Sequence, residues 1–594
     1  MRPKFRNSFG VLLCGCLIFA VTFSGCDIFR PVRKLAEGIE AKSMSCEPGS
    51  QGGTLTLALQ NGPTTFNPYV DASPDTYEVM RNLYTTLLDY DYAKNKVEDT
   101  GLATTVTPGA DGQSFSIKVR KALFSDGSSL DAEDVVFSYQ TCVSSEMDSL
   151  LGDLLRTRQD KVVKEPTITK VDGQTLTVKF GGPISPDVAR LIFARIPIVS
   201  KNSFGAALKS GSARDVYGLK TAPDKIVTSG PYKVASCSAS ELVLKANEKY
   251  YKTDSNGTLL PYLDEVKYML NLDRKAQSDK FAAGALDACN YLTAEKLKSL
   301  KGNNQFLVDD KGGSLHVWAL IMNTRYLHSK RLISPVKAFN FAFDKFRLAT
   351  SKAINRDKLV QEVAGGAAKP AFNIFTPGNA AWFDSTAKTQ TYNLTEAKAV
   401  LTGEGYKYTG NELKALGKEL VRFSIAYPKD PTAAAIAKQL VADFTALGAE
   451  VRATEEKSEV ISNYLSAGTF DAVLVELRPE WPDPIFLQPY VTGKRYWAAD
   501  PEPEGTDMRI NFGDPAGKWY DDTRTAMDKA VSLRAISDRK AQYNIVQQRW
   551  SEVIPVIYLM SENTMTGAKA SLKNLQPAMA DPGMTWNLEV LCKK

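Results

Sequence analysis

Histidine is scarce in this sequence, and its scarcity narrows the chemistry that the chain can perform. His316 and His328 are the two histidines in 594 residues, too few to favour a Ser-His-Asp triad, a Cys-His dyad or a histidine-rich metal site. The sequence also lacks G-x-S-x-G, H-E-x-x-H, G-x-x-x-x-G-K and G-x-G-x-x-G motifs. We therefore expect no enzyme, no metal site and no cofactor, and we expect no function for either histidine.

The charge and cysteine content argue against further classes of protein and of binding site for this chain, nucleic-acid-binding proteins among them. Lys and Arg number 73 against 67 Asp and Glu, so the net charge is +6, and no basic block of the nucleic-acid-binding kind occurs. With 43% hydrophobic and 24% charged residues the chain is globular and long enough for two or three domains. Cys46, Cys142, Cys237, Cys289 and Cys592 form no C-x-x-C pair. Five cysteines cannot all pair with one another, and their connectivity stays open.

The N-terminus has the pattern of an export signal. Positive charges precede an apolar run over 11–23, which is short for a membrane span, and the run ends in Phe23-Ser24-Gly25-Cys26. This ending resembles the lipobox of bacterial lipoproteins, which implies cleavage before Cys26 and a lipid on its thiol. Alternatives are a secreted protein cut elsewhere and an N-terminal anchor helix. The lipoprotein interpretation predicts a location in the cell envelope, on the periplasmic side of the inner membrane or the outer face of the cell membrane.

Strand and helix patterns alternate through the rest of the chain. Polar and apolar residues alternate, as in half-buried strands, over 54–59, 115–119, 175–180 and 420–427. Asp131 is placed to cap a helix that begins at Ala132. Asp430-Pro431 opens another helix, Gly448 ends it, and Val451 starts a further strand, which together predict a βαβ unit. A βα-like stretch over 464–477 follows, so we predict an α/β fold.

Several motifs occur in a characteristic order along the chain. They are Phe124-Ser125-Asp126-Gly127 with Ala132-Glu133-Asp134-Val135, then Ser229-Gly230-Pro231-Tyr232, Ala353-Ile354-Asn355-Arg356 and Trp481-Pro482-Asp483-Pro484. Together they resemble the extracytoplasmic solute-binding proteins of peptide ABC importers, the oligopeptide- and dipeptide-binding lipoproteins of the peptide/nickel type. The resemblance extends from Gly52 to about Tyr558.

The resemblance implies a two-lobed periplasmic-binding-protein fold with three domains and the ligand enclosed between the lobes. The segments expected are a signal peptide (1–25), a tether (26–51), a discontinuous domain I (50–75, 196–312 and 555–594), an inserted domain II (76–195) and domain III (313–554).

The resemblance also implies a function. A lipid-anchored monomer would capture short peptides by lobe closure and deliver them to an ABC permease, while separate ATPase subunits drive transport. The alternative is the same fold with a nickel chelate, haem or oligosaccharide as ligand. An oligosaccharide site requires several aromatic side chains facing the cleft, and a chelate site requires a His or Arg there.

The resemblance assigns ligand-binding roles to individual positions of this sequence that match positions of the family. Peptide-binding members place an Asp against the ligand's terminal ammonium, and Glu480 matches it; the alternatives are a solvated loop acid or a pair with Arg478. Trp481 would pack on the ligand or fill the lobe interface. Arg478 would meet a ligand carboxylate or form a surface or internal ion pair. The backbone of Ala72 and Ser73 would pair with the peptide as part of a strand that includes the next residue, a proline.

Two departures from the family pattern stand out. Leu477 and Arg478 stand where some oligopeptide-binding members have Trp-Cys, and the partner position near Leu315 is not a cysteine either, so the resemblance implies that the usual domain III disulfide is absent. About fourteen extra residues lie within 325–340, rich in Arg, Lys and Ser. We interpret them as a solvated surface loop or a contact surface for the permease.

Overall fold

The structure is a computed structural model, and it describes part of the chain. The described residues are 46–47, 51–70, 73–159, 162–210, 212–323, 341, 343–415, 419–467, 469–479, 483–487, 518–578 and 583–593. These residues belong to one compact unit, Ile39–Lys594. No helix among them is both long and apolar enough to cross a lipid bilayer.

Two four-stranded sheets form what we call the first lobe. The strands of one, in spatial order, are Thr54–Ala58, Glu265–Met269, Glu241–Ala246 and Tyr232–Cys237. The strands of the other are Thr167–Lys170, Thr175–Lys179, Ser114–Val119 and Ala103–Pro108. Thr54–Ala58 runs parallel to Glu265–Met269, whereas neighbours in the second sheet are antiparallel. One continuous hydrophobic core packs against both sheets.

A third sheet organises what we call the second lobe and extends into the first lobe, where its strands Ala288–Cys289 and Phe306–Gly313 pack beside Ala58 and Met269. Its main strands, in spatial order, are Ala288–Cys289, Ile557–Lys569, Val317–Met322, Ala472–Leu477, Arg422–Pro428 and Glu450–Glu456, with Phe306–Gly313 and Ala368–Pro370 also paired to Ile557–Lys569. Side chains alternate along Val317–Met322: Trp318 and Leu320 enter one hydrophobic core, and Val317 and Ala319 enter another. Apolar layers on both faces explain why this strand is apolar throughout.

Within the described ranges, two segments of chain cross between the lobes. The strand Ile557–Lys569 pairs through its first residues with Val317–Met322 and through its last residues with Phe306–Gly313. The chain also passes from Phe306–Gly313 into Val317–Met322 through the short link at His316. The boundaries of the three domains stay predictions.

The α-helices pack on the sheets. They are Pro74–Leu83, Ala132–Val143, Leu150–Leu155, Pro186–Phe193, Ser203–Ser210, Arg274–Ala282, Ala294–Leu300, Asp344–Ala353, Arg356–Glu362, Leu394–Gly403, Pro431–Leu447, Ser458–Ala467, Lys518–Ser532 and Ile536–Val553. Four short hairpins also occur among the described residues: Asp89–Asp91 with Lys96–Glu98, Ala122–Leu123 with Ser129–Leu130, Thr157–Gln159 with Val162–Lys164, and Lys407–Thr409 with Glu412–Lys414. Leu572–Lys573 pairs antiparallel with the distant strand Cys592–Lys593. The described 3₁₀ turns are Ala213–Asp215, Pro223–Lys225, Pro484–Leu487 and Leu588–Val590.

Local signals in the sequence explain several helix ends. The predicted cap at Asp131 is confirmed, because its side chain accepts from the N–H of Glu133 and forms a capping box with Asp134. The predicted βαβ unit is also confirmed: Pro431–Leu447 connects the parallel strands Arg422–Pro428 and Glu450–Glu456. Over 464–477 the order differs from the prediction, since a helix precedes the strand.

Gly448 ends the helix Pro431–Leu447 in a left-handed conformation, with φ of 103°. A Cβ atom at this position would lie 2.7 Å from the carbonyl oxygen of Asn411. Glycine is therefore required both by the backbone angle and by the close approach.

A disulfide joins Cys46 to Cys592, which resolves part of the cysteine connectivity that the sequence left open. Cys142 and Cys289 are buried free thiols, and Cys237 is partly exposed and free. The disulfide ties the start of the described chain to its last short strand, Cys592–Lys593.

Candidate functional site

The described residues line two cavities that can each hold a small molecule. The first, about 370 Å³, is lined in the described part of the chain by first-lobe residues such as Tyr77 and Lys252. The second, about 300 Å³, is lined by Arg274 and Tyr291 of the first lobe, by Asp430 of the second, and by residues of the crossing segments. Because closure of a two-lobed protein acts on groups from both lobes, we take the second cavity as the candidate site and call it the interlobe cavity.

The charges in the first cavity have protein partners. Lys252 Nζ lies 2.6 Å from Asp89 Oδ2 and 3.4 Å from Glu589 Oε1. Tyr250 donates to the other oxygen of Glu589, at 2.7 Å. These contacts stay within the first lobe, so we interpret them as stabilising that lobe.

Secondary structure positions the charged groups of the interlobe cavity. Arg274 is the first residue of the helix Arg274–Ala282. Asp430 caps the helix Pro431–Leu447, whose first residues also line the cavity, and its side chain accepts from the N–H of Ala433 at 2.9 Å. The positive end of the helix dipole therefore faces the cavity, partly offset by the Asp430 carboxylate. Glu562 lies on the strand that crosses between the lobes.

A network of ion pairs, which we call the cleft cluster, connects the two lobes beside this cavity. Arg274 bonds to both Glu476 and Glu562. Arg478 Nε donates to Glu476 Oε2 at 2.8 Å, so one carboxylate bridges two guanidinium groups. Both guanidinium groups lie over the ring of Tyr291, at 4.9 Å for Arg274 and 5.3 Å for Arg478. The cleft cluster consists of these five residues.

The cleft cluster is nearly closed to solvent. The side chain of Glu476 is 8% exposed, that of Arg478 10%, and that of Arg274 15%. Gln60, which follows the first strand of the first lobe, also accepts a hydrogen bond from Arg478. Separation of the lobes would break ion pairs between largely buried side chains, which costs free energy, so these pairs hold the two lobes together.

The pKa shifts follow from burial and neighbouring charge. Burial alone would raise the pKa of Glu476, but the charges of Arg274 and Arg478 outweigh it and lower the pKa to about 2. The pKa of Glu562 is raised, by burial first and then by the negative charges of Glu476 and Asp430, against the opposing effect of Arg274. At neutral pH Glu476 is therefore ionised, and a further positive charge near Glu562 would be stabilised.

The structure describes two of the five predicted ligand residues. Arg478 pairs internally with Glu476, which favours the internal-ion-pair alternative. Ser73 caps the helix Pro74–Leu83 by accepting from the N–H of Thr76. The strand expected through Pro74 is therefore wrong at that residue, which is helical and cannot donate a hydrogen bond. A ligand contact by the Ser73 backbone stays a prediction.

The other predicted residues lie outside the described part of the chain. These are Glu480, Trp481 and Ala72, the lipidation residue Cys26, and the insertion within 325–340. Their predicted roles are neither supported nor contradicted by the geometry.

Sequence reasoning missed most of the cleft cluster and dismissed His316. His316 lines the interlobe cavity, with Nδ1 3.8 Å from Glu476 Oε1, so the structure places it at the candidate site, although no function was expected for it from the sequence. One signal was available: Glu476 is an acid near the end of the otherwise apolar strand Ala472–Leu477. A buried carboxylate at that position needs a positively charged or hydrogen-bonding partner, although the sequence does not identify that partner.

The Asp-Pro motif near the predicted ligand loop has a structural anchor. Asp483 accepts two hydrogen bonds from Arg539, at 3.0 and 2.7 Å, and both side chains are buried. The neighbouring Ile485 packs in the first-lobe core, and the charge of Asp483 contributes, after burial, to the raised pKa of Tyr90 in the first lobe. The segment after the motif therefore contacts both lobes.

Metal binding finds no support in the described side chains. Among them, no group of three or more His, Cys, Asp or Glu residues is arranged to hold a metal ion.

Comparison with known proteins identifies a family. The family described as bacterial extracellular solute-binding proteins, family 5, matches residues 99–498, which is more than half of the chain. This match confirms the resemblance derived from the motifs. The family consists of binding proteins, so the expectation that the chain is not an enzyme is also confirmed.

Relatives agree with this assignment. A probable ABC transporter-binding protein of Deinococcus radiodurans is 28% identical over 391 residues, which are 62% of this chain and 62% of that protein. The chain thus matches less than two thirds of that relative's length. The oligopeptide-binding protein AppA of Bacillus subtilis, solved with a nonapeptide, is similar in fold, with a TM-score of 0.75, 19% identity, and coverage of 92% of this chain and 99% of that chain.

A second solved structure widens the range of ligands among the neighbours. The periplasmic binding protein MelB of Agrobacterium fabrum, in complex with stachyose, has a TM-score of 0.76, 18% identity, and coverage of 92% of this chain and 85% of that chain. Both likenesses confirm the predicted two-lobed α/β fold. At these identities they do not transfer a ligand.

Proposed function

We propose that this chain, which belongs to family 5 of the bacterial extracellular solute-binding proteins, captures short peptides between its two lobes and delivers them to the permease of an ABC importer. Closure of the lobes around the peptide would be the mechanism, and separate ATPase subunits would supply the energy. We further propose that Cys26 carries the lipid that holds a monomer at the outer side of the cell membrane, with residues 26–51 as the tether.

The observation that carries this proposal is the pattern of charge around the interlobe cavity. Arg274 and Lys275 of the first lobe and Asp430 and Glu562 across the cavity present both signs within one space of about 300 Å³. A short peptide has an ammonium at one end and a carboxylate at the other. Each needs an opposite charge when water is excluded.

Two further considerations support a peptide ligand. A peptide in an enclosed site must satisfy its backbone amides, and the crossing strand, through Asn563 and Thr564, forms part of the cavity wall. The Bacillus subtilis neighbour holds a nonapeptide. In this proposal Glu480 and Trp481 complete the site from the second lobe.

The proposal can be tested by calorimetric titration of the purified protein with Ala-Ala-Ala and with the same peptide acetylated at its N-terminus. We expect the free peptide to bind more tightly, and we expect Glu480→Gln to remove most of that difference. At a hundred times Kd the free peptide should stabilise the protein by about 2.7 kcal/mol. If neither these peptides nor a mixed peptide pool raises the melting temperature, the proposal fails.

A metal chelate is the second candidate, because His316 and Arg274 both line the interlobe cavity. An oligosaccharide is less well supported, since Tyr291 is the single Phe, Tyr or Trp among the described residues of that wall. Native mass spectrometry of the protein as purified would separate these possibilities by the mass of the ligand that remains bound.

A further inference from the structure

Glu476 holds a central place in the cleft cluster. Its Oε1 bonds to Arg274 and its Oε2 to Arg478, and it does so without lining the interlobe cavity itself. Arg274, by contrast, forms part of the cavity wall. Glu476 therefore acts on a ligand through its neighbours in the wall, of which Arg274 is bonded to it and His316 lies 3.8 Å away.

The charges around the cavity do not cancel. Two guanidinium groups, Arg274 and Arg478, face three carboxylates, Glu476, Glu562 and Asp430. Repulsion from the carboxylates of Glu476 and Asp430 is, after burial, among the causes that raise the pKa of Glu562. Lys275 and Glu295, which also line the cavity, add one charge of each sign, so the groups in and beside the wall carry one more negative than positive formal charge.

Without Glu476 the excess of negative charge would be lost. The two arginines would then face two carboxylates, and Arg274 would keep one ion pair, to Glu562, instead of two. A guanidinium with one partner has donors to offer to a ligand carboxylate. The charge preference of the cavity therefore depends on a residue that does not touch the ligand.

We propose that Glu476 is a positioning residue that sets the charge preference of the interlobe cavity: it holds and neutralises Arg274, so that the cavity favours ligands with a basic side chain and disfavours ligands with an acidic one. This inference rests on the proposed function, because it assumes that the interlobe cavity receives a peptide.

The experiment uses the full chain and three peptides that differ in one side chain: Ala-Lys-Ala, Ala-Ala-Ala and Ala-Glu-Ala. Calorimetric titration should give the tightest binding for the lysine peptide and the weakest for the glutamate peptide. In Glu476→Gln, which keeps the side-chain shape and an acceptor oxygen, the affinity ratio of the lysine to the glutamate peptide should fall by about tenfold.

A matched control separates charge from folding. Asp443 is a buried carboxylate of the same lobe that accepts from the Asn355 N–H at 3.1 Å and from Gln439 at 2.8 Å. It lies twelve residues beyond the start of Pro431–Leu447, about 18 Å along that helix. Asp443→Asn should therefore leave the peptide ratio unchanged, and Glu562→Gln should lower it as Glu476→Gln does.

The outcomes are distinct. If the wild type binds none of the three peptides, the proposed function and this inference fall together. If it binds them with no preference for lysine, or if Glu476→Gln keeps the wild-type ratio, this inference falls and the proposed function stands. A fall in the ratio in Asp443→Asn as large as that in Glu476→Gln would also overturn it, since a buried acid remote from the cavity would then suffice.

Discussion

Replacement of Arg539 by methionine tests whether the buried pair with Asp483 holds the motif that follows the predicted ligand loop. The two guanidinium nitrogens lie 3.0 and 2.7 Å from the carboxylate oxygens, and the side chains of Arg539 and Asp483 are 4% and 9% exposed. The guanidinium also lies over Trp382, at 5.0 Å from the ring centroid. Arg539→Met would leave the carboxylate buried without its partner.

The expected cost follows from that burial. Removal of one member of a buried, bidentate ion pair typically destabilises a protein by about 3–5 kcal/mol. The loss of the contact with Trp382 adds to it. The free energy of unfolding should be compared by urea titration followed by circular dichroism.

The same helix offers the control. Arg549 pairs with Asp522 at 3.1 Å and with Glu552 at 2.9 Å, but its side chain is 41% exposed. Arg549→Met should therefore cost less than about 1 kcal/mol. The double variant Arg539→Met, Asp483→Leu should recover part of the loss, because no charge is then left buried. If Arg539→Met costs no more than Arg549→Met, the pair does not hold this segment.

Two further predictions concern the ends of the described chain. Burial alone would raise the pKa of Asp287, but Lys593 at 2.7 Å, Lys569 at 3.1 Å and its other hydrogen bonds outweigh burial and lower the pKa. The ionised carboxylate therefore stabilises the fold above about pH 4, and this contribution is lost as the pH falls further. Asp287→Asn should accordingly flatten the decrease of the melting temperature below pH 4. Reduction of the Cys46–Cys592 disulfide should lower the free energy of unfolding by about 2–5 kcal/mol. The melting temperature should therefore fall when dithiothreitol is added, and an unchanged melting temperature would refute this prediction.

Local structure could be predicted from the sequence where the signal lies within a few residues. The cap at Asp131 and the unit from Asp430 to Gly448 are of this kind, because side chain and backbone meet within one helical turn. The family motifs extended this local knowledge to a two-lobed fold. The order of elements over 464–477 was missed, since a short apolar run suits either a helix or a strand.

The cleft cluster could not be predicted in the same way. Arg274 and Glu476 are 202 positions apart, and neither residue carries a local pattern that names the other. For Arg478 the sequence suggested Glu480, which lies outside the described residues, and it did not suggest Glu476, with which Arg478 pairs in the structure. Partner choice among buried charges depends on tertiary packing, which a linear pattern does not contain.

The disulfide between Cys46 and Cys592 also determines how the protein bears load. A pull on the chain before Cys46 passes through the sulfur atoms directly to Cys592–Lys593, which is paired with Leu572–Lys573. The strand Thr54–Ala58, which would otherwise be peeled from its sheet first, is bypassed. The first lobe thus takes the force at a covalent joint, and the force does not pass through the cleft cluster that connects it to the second lobe.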